Sequence, residues 1–214
     1  MENNTQVMQE RFGWGDIVGS LIIGEAVAVL FHFIAQNIAV NLPFANTLPF
    51  VFPILSVIGL YVAFWLNKYI SIAYQGAKFA LVGVLNTAVD FGVTNSLIFF
   101  TSIVVGWEVS GFKAVGFIVA VINSYFWNKY WTFHKTAGGG ATEFGQFVVV
   151  SVLGFAINVG IATLFVNYIP AMGGLSQTRW DNVGFLAATI LSLLWNFVGY
   201  KFWVFATRNS NFKS

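Results

Sequence analysis

An aspartate inside an apolar run is the costliest side chain in this sequence of 214 residues. Asp90 stands in FALVGVLNTAVDFG, Phe79 to Gly92. An acid at the centre of a membrane helix costs about 2.5–3.5 kcal/mol to insert, so such residues usually face a polar cavity or a partner. Gly83, Asn86 and Asp90 follow one another at helical spacing and share one face. An amide and a carboxylate there can donate to and accept from hydroxyl groups. Two lysines form a second constellation. Lys129 follows Asn123 and Asn128, Lys201 follows Asn196, and Trp127, Tyr130, Trp131, Tyr200 and Trp203 surround them. Two cations with amide donors suit the phosphate of a lipid at a membrane surface. Each pattern has a plainer reading beside it: lysines and aromatic rings anchor helix ends at interfaces, and small polar stripes let helices pack closely.

Both constellations occur twice. Lys78 to Gly92 and Gln146 to Gly160 align at an offset of 68, where Phe79, Val82, Val84, Leu85, Ala88 and Gly92 meet identical residues and Asp90 meets Asn158. Ser151 and Gly154 complete the second stripe. KYWTF from Lys129 is echoed by KFWVF from Lys201 at an offset of 72. Repeats of this size in an apolar chain point to a carrier or channel made of two similar halves.

The elements that must position these residues follow from composition. Hydrophobic residues make up 57% of the chain and charged residues only 8%, too little charge to coat a soluble globule of this size. The expectation is an all-α integral membrane protein. A net charge of +2 spread over helix ends leaves no nucleic-acid footprint, and the absence of cysteine excludes disulfides and thiolate metal sites. Six stretches reach the roughly 20 residues needed to cross a bilayer: Ile17 to Val40, Leu48 to Leu66, Phe79 to Val105, Lys113 to Phe133, Phe147 to Ile169 and Val183 to Phe205. Asn41-Leu42-Pro43, Pro49, Gly138 to Gly140, Pro170 and Gly173-Gly174 punctuate them. The first span carries Glu25 and His32 and is too long for a cleaved signal peptide.

Orientation follows from the basic residues. Arg11, Lys68, Lys78, Lys129, Lys135, Lys201, Arg208 and Lys213 fall on one side, which should be cytoplasmic, and Lys113 and Arg179 on the other. Both termini are then inside. The fold expected is a four-helix core of two parallel-repeat hairpins plus two N-terminal helices.

The ordered motifs VGxxNTxxD from Val82, NKxWTF from Asn128 and KFWVF from Lys201 resemble those of the GtrA-like family of four-helix membrane proteins. The resemblance covers residues 76–208, leaving 1–75 as an extension with two helices and 209–214 as a cytoplasmic tail. It implies a non-enzymatic role in cell-surface polysaccharide or glycolipid synthesis, moving polyprenyl-phosphate-linked monosaccharides across the cytoplasmic membrane of a prokaryote for glycosyltransferases outside. Asn86, Asp90, Asn128, Lys129 and Lys201 stand at family motif positions, and Asn123, Asn158 and Asn196 join them as substrate-binding candidates on the residue argument. Family members commonly carry Arg where this chain has Lys129 and Lys201, which keeps the charge and loses the bidentate fork.

The expected partners are the sugar lipid, membrane lipids, a glycosyltransferase and a second copy of the chain as a homodimer; no cofactor or nucleic acid is expected. Glu25 and His32 are seven residues apart and so share a face from which a neighbouring helix could be bonded. No HExxH or serine elbow appears, which leaves no evident hydrolytic site. Two other functions fit the residues: a proton-coupled small-molecule exporter using Asp90 or Glu25, and a non-transporting anchor for a glycosyltransferase.

Overall fold

A computed structural model describes residues 12–37, 45–136 and 139–206. Asn41-Leu42-Pro43, Gly138, Arg11, Arg208, Lys213 and the 209–214 tail lie outside the described residues. Among the described residues, six helices are long and apolar enough to cross a membrane: α1 (Trp14–Asn37), α2 (Leu48–Leu66), α3 (Ala73–Thr101), α4 (Trp107–Trp127), α5 (Gly140–Asn167) and α6 (Gln177–Gly199). No strand occurs among the described residues. The chain is an all-α, multi-pass membrane protein.

Only α2 has the ends that hydropathy alone marks; α3 to α6 each begin earlier than expected. A helix continues past its apolar stretch until something stops it, because each added residue closes another backbone hydrogen bond. The stops are local. Ser102, in the left-handed region at φ 56°, ends α3 while its N–H donates to the Ile98 carbonyl. Ser176 is extended before α6, and Pro49 opens α2 where its missing N–H costs nothing. Two helices carry on as π-helical turns, Asn128–Thr132 after α4 and Tyr200–Val204 after α6.

Large apolar side chains such as Phe50, Phe100, Phe155 and Leu186 point outward, as they do when hydrocarbon is the solvent and only the backbone must satisfy itself internally. Helices α1 to α4 form a first compact unit ending at Thr132, and α5 and α6 a second beginning at Phe133. In the first, Ile23, Val27, Leu60, Tyr74, Val82, Leu85, Ala88 and Trp131 make the core. Helices α1 and α3 run parallel and in register. Lys78 on α3 meets Asp16 on α1, Gly92 sits against Leu30, and both contacts have the same offset of 62 residues. In the second unit Phe147 stacks on Tyr200 at 4.3 Å, and Phe205 closes over both.

Candidate functional site

Asp90 lies three residues past the midpoint of α3. Because α3 starts at Ala73 rather than near Lys78, it is about 26 Å along the axis rather than 18 Å, still within the hydrocarbon span. Its Oδ2 forms an ion pair with Lys113 of α4. Lys113, expected as the first residue of the fourth span, lies in the second turn of α4, which begins six residues earlier at Trp107, and from there it reaches the acid. The other carboxylate oxygen, Oδ1, is buried with no hydrogen-bond partner among the described residues. Gly116 makes the approach possible, since a Cβ there would sit 2.6 Å from the Asp90 carbonyl and 2.5 Å from Thr94 Oγ1.

A file of similar atoms follows down the hairpin toward Lys129. Asn86 Oδ1, Asn123 Nδ2, Asn128 Oδ1 and Thr132 Oγ1 are each buried and have no hydrogen-bond partner among the described residues. Gln75 Nε2 donates to the Thr132 carbonyl at 3.2 Å, which puts the far end of the file level with the start of α3. It therefore spans about 22 Å along the helix axis, from the level of residue 75 up to residue 90. Asn128 is held in place by donating to the Ser124 carbonyl at 2.9 Å and Ser124 Oγ at 3.2 Å.

Both motif lysines occupy the second position of a π-helical turn. Such turns are rare and often found at functional sites; the wider winding left no trace in the periodicity of the sequence. The lysines differ in access. Lys129 is buried, donating to Tyr125 Oη at 3.1 Å with its ammonium over the Tyr125 and Tyr130 rings. Lys201 is partly exposed over Phe197 and Phe202. The aromatic rings that flank both lysines in sequence thus enclose Lys129, around which two tyrosines fold, and leave Lys201 partly exposed.

Midway along the second hairpin the polar contacts join neutral groups. Asn158 Nδ2 donates to Ser192 Oγ at 3.3 Å, and Ser151 Oγ pairs with Tyr200 Oη at 2.6 Å. Asn196 packs its amide against Gly154, with Oδ1 buried and unpartnered among the described residues.

A buried ion pair escaped sequence reasoning altogether. Lys78 Nζ is 2.5 Å from Asp16 Oδ1, with the lysine side chain 1% exposed and lying over the Tyr74 and Trp131 rings. Asp16 also accepts from the Gly13 N–H at 3.0 Å. The available signal was an acid in the first turn of an apolar helix. His32 bonds Gln36 one turn on in α1 rather than a neighbouring helix, and Glu25 is exposed.

Residues 78–205 match the GtrA/DPMS transmembrane domain. The chain belongs to this family. Its members are membrane proteins of glycosylation or sugar-lipid flipping and are typically non-enzymatic. The chain is also similar to the "uncharacterized membrane protein YngA" of Bacillus subtilis (strain 168), 32% identical over 136 residues that cover 63% of this chain and 81% of that protein. No solved structure matches with statistical significance. The GtrA/DPMS match takes in the polar file, both π-helical turns and both hairpins, while α1 and α2 lie outside it.

Proposed function

We propose that this protein moves a polyprenyl-phosphate-linked monosaccharide across the cytoplasmic membrane of a prokaryote, for glycosyltransferases that modify surface polysaccharide or glycolipid outside. Both termini, on this reading, are cytoplasmic. The observation that carries it is the file of buried polar atoms in the α3–α4 hairpin. Each atom left unbonded in an apolar interior costs about 1–3 kcal/mol, and a sugar rich in hydroxyls would supply the missing donors and acceptors without breaking bonds the protein already makes. The isoprenoid tail can stay in hydrocarbon, so only the phosphate and sugar need shelter.

The roles follow from access. Lys201, partly exposed, is the cation that can receive a phosphate at the second hairpin, and Lys129 provides a cation inside the first. Asp90 accepts a sugar hydroxyl at Oδ1 while Lys113 holds Oδ2. Asn86, Asn123 and Asn128 bond hydroxyls along the way. Asn158 and Asn196 serve the second hairpin, where Asn158 already has Ser192 as a partner. Transport runs down the gradient that synthesis on one side and consumption on the other maintain.

A flipping assay in proteoliposomes with a panel of glycosyl polyprenyl phosphates tests this. Asp90→Asn should cut flux per folded molecule, and Lys129→Gln with Lys201→Gln should weaken binding roughly ten- to a hundredfold per lost charge-assisted bond. Lys→Arg at either site should retain activity. A double Gln variant that inserts normally and flips at the parent rate would sink the phosphate assignment. Lipid-independent export of small molecules driven by a pH gradient would replace the flippase reading, and an effect only on glycosyltransferase recruitment would make the protein an anchor.

A further inference from the structure

Glu25 is the twelfth of the 24 residues of α1, so it sits at the middle of a membrane-spanning helix, and it is exposed. Its neighbours on that face are Val18, Leu21, Ile22 and Val29, all exposed as well, which makes the glutamate the one charge in an apolar outward stripe. An ionised carboxylate has no stable place against lipid tails and needs a partner at its own depth.

The register of α1 on α3 fixes that depth. Counting from the Asp16–Lys78 ion pair, Glu25 lies nine residues up α1 and Asp90 twelve residues up α3, so the two levels differ by only about 4.5 Å. Lys113 holds its ammonium at the Asp90 level while half of its side chain stays exposed. A carboxylate and an ammonium of the same unit are thus both open to the membrane at matching depth. They are complementary in charge. A twofold axis along the membrane normal relates copies without changing depth, and its isologous interface brings residue i of one copy to residue j of the other and the reverse.

We propose that the exposed face of α1 is a docking surface for a second copy of this chain, in which Glu25 of one protomer reaches Lys113 of its partner. An ammonium has three donors, so Lys113 can hold Asp90 in its own chain and Glu25 from across the interface. The dimer then completes the charged site: the extension outside the family domain contributes a carboxylate to the Asp90–Lys113 pair of the neighbouring molecule. This assembly does not depend on which substrate is carried.

Co-expression of two differently tagged single variants, Glu25→Cys and Lys113→Cys, in membranes tests the contact. A disulfide-linked heterodimer should form under mild oxidation, exceeding the homodimers that each variant gives alone. Glu25→Gln should raise the dissociation constant of dimers counted by single-molecule photobleaching in lipid roughly a hundredfold or more, the loss of one charge-assisted bond at each of the two symmetry-related contacts, and Glu25→Asp should recover part of it. The proposal is overturned if Glu25→Cys cross-links chiefly to itself, if no heterodimer forms, or if Glu25→Gln dimerises like the parent. Because the readout is assembly and not flux, its failure would leave the transport reading standing.

Discussion

At the middle of α3 stands Asp90, ion-paired to Lys113 across its hairpin; at the matching place in the repeat, α5 carries Asn158, bonded to Ser192 Oγ. The same contrast runs through the buried faces. Leu85, Ala88 and Gly92 are buried in α3, where α1 covers them, whereas the identical residues of α5, Leu153, Ala156 and Gly160, are exposed. Lys78 is buried with Asp16 beside it, and its counterpart Gln146 is neutral. Two copies of one pattern have become a hairpin charged at its middle and covered by α1, and a hairpin neutral at its middle. Charge in a membrane needs partners, and the hairpin covered by α1 is the one that keeps an ion pair at its middle.

Breaking that electrostatic difference should have its largest effect at the buried pair. Asp16→Ala leaves the Lys78 ammonium enclosed without its carboxylate and should cost about 3–5 kcal/mol, seen as an early unfolding transition in detergent. Gln146→Ala should stay within about 0.5 kcal/mol. Equal losses would mean that the two hairpins are held together by the same forces after all.

Packing at the two hairpins differs in a way that a smaller effect can sharpen. A methyl at Gly116 meets the backbone carbonyl of Asp90, which cannot swing away, so Gly116→Ala should cost about 1–3 kcal/mol. Gly154→Ala meets the terminal amide of Asn196, which a rotamer change can move, and should cost less. Thermal melts of the two variants side by side check the order; a reversal would place the tighter helix contact in the neutral hairpin.

The smallest change concerns the neutral half alone. Tyr200→Phe removes the bond to Ser151 Oγ and should lower stability by about 0.5–1.5 kcal/mol while leaving the Phe147 stacking in place. Denaturant titration of folded protein in detergent would read it. A much larger loss would show that this hydroxyl pair does for the second hairpin what ions do for the first.

Six helices, their repeat and the family motifs were legible in the residues because the hydrocarbon thickness judges each segment by itself: enough consecutive apolar side chains make a span whatever their neighbours do. Asp90 likewise announced itself by its cost. What no local pattern held was the pairing. Lys113 is 23 residues from Asp90, and Asp16 is 62 residues from Lys78; whether they meet depends on which helix lies beside which, and on Gly116 letting two backbones touch. Nor did the sequence separate Lys129 from Lys201, since both follow amides and both are ringed by aromatics. The tertiary structure decided that one is enclosed and the other reachable, because burial is a property of the packed surroundings and a repeated sequence whose copies have different neighbours is buried differently.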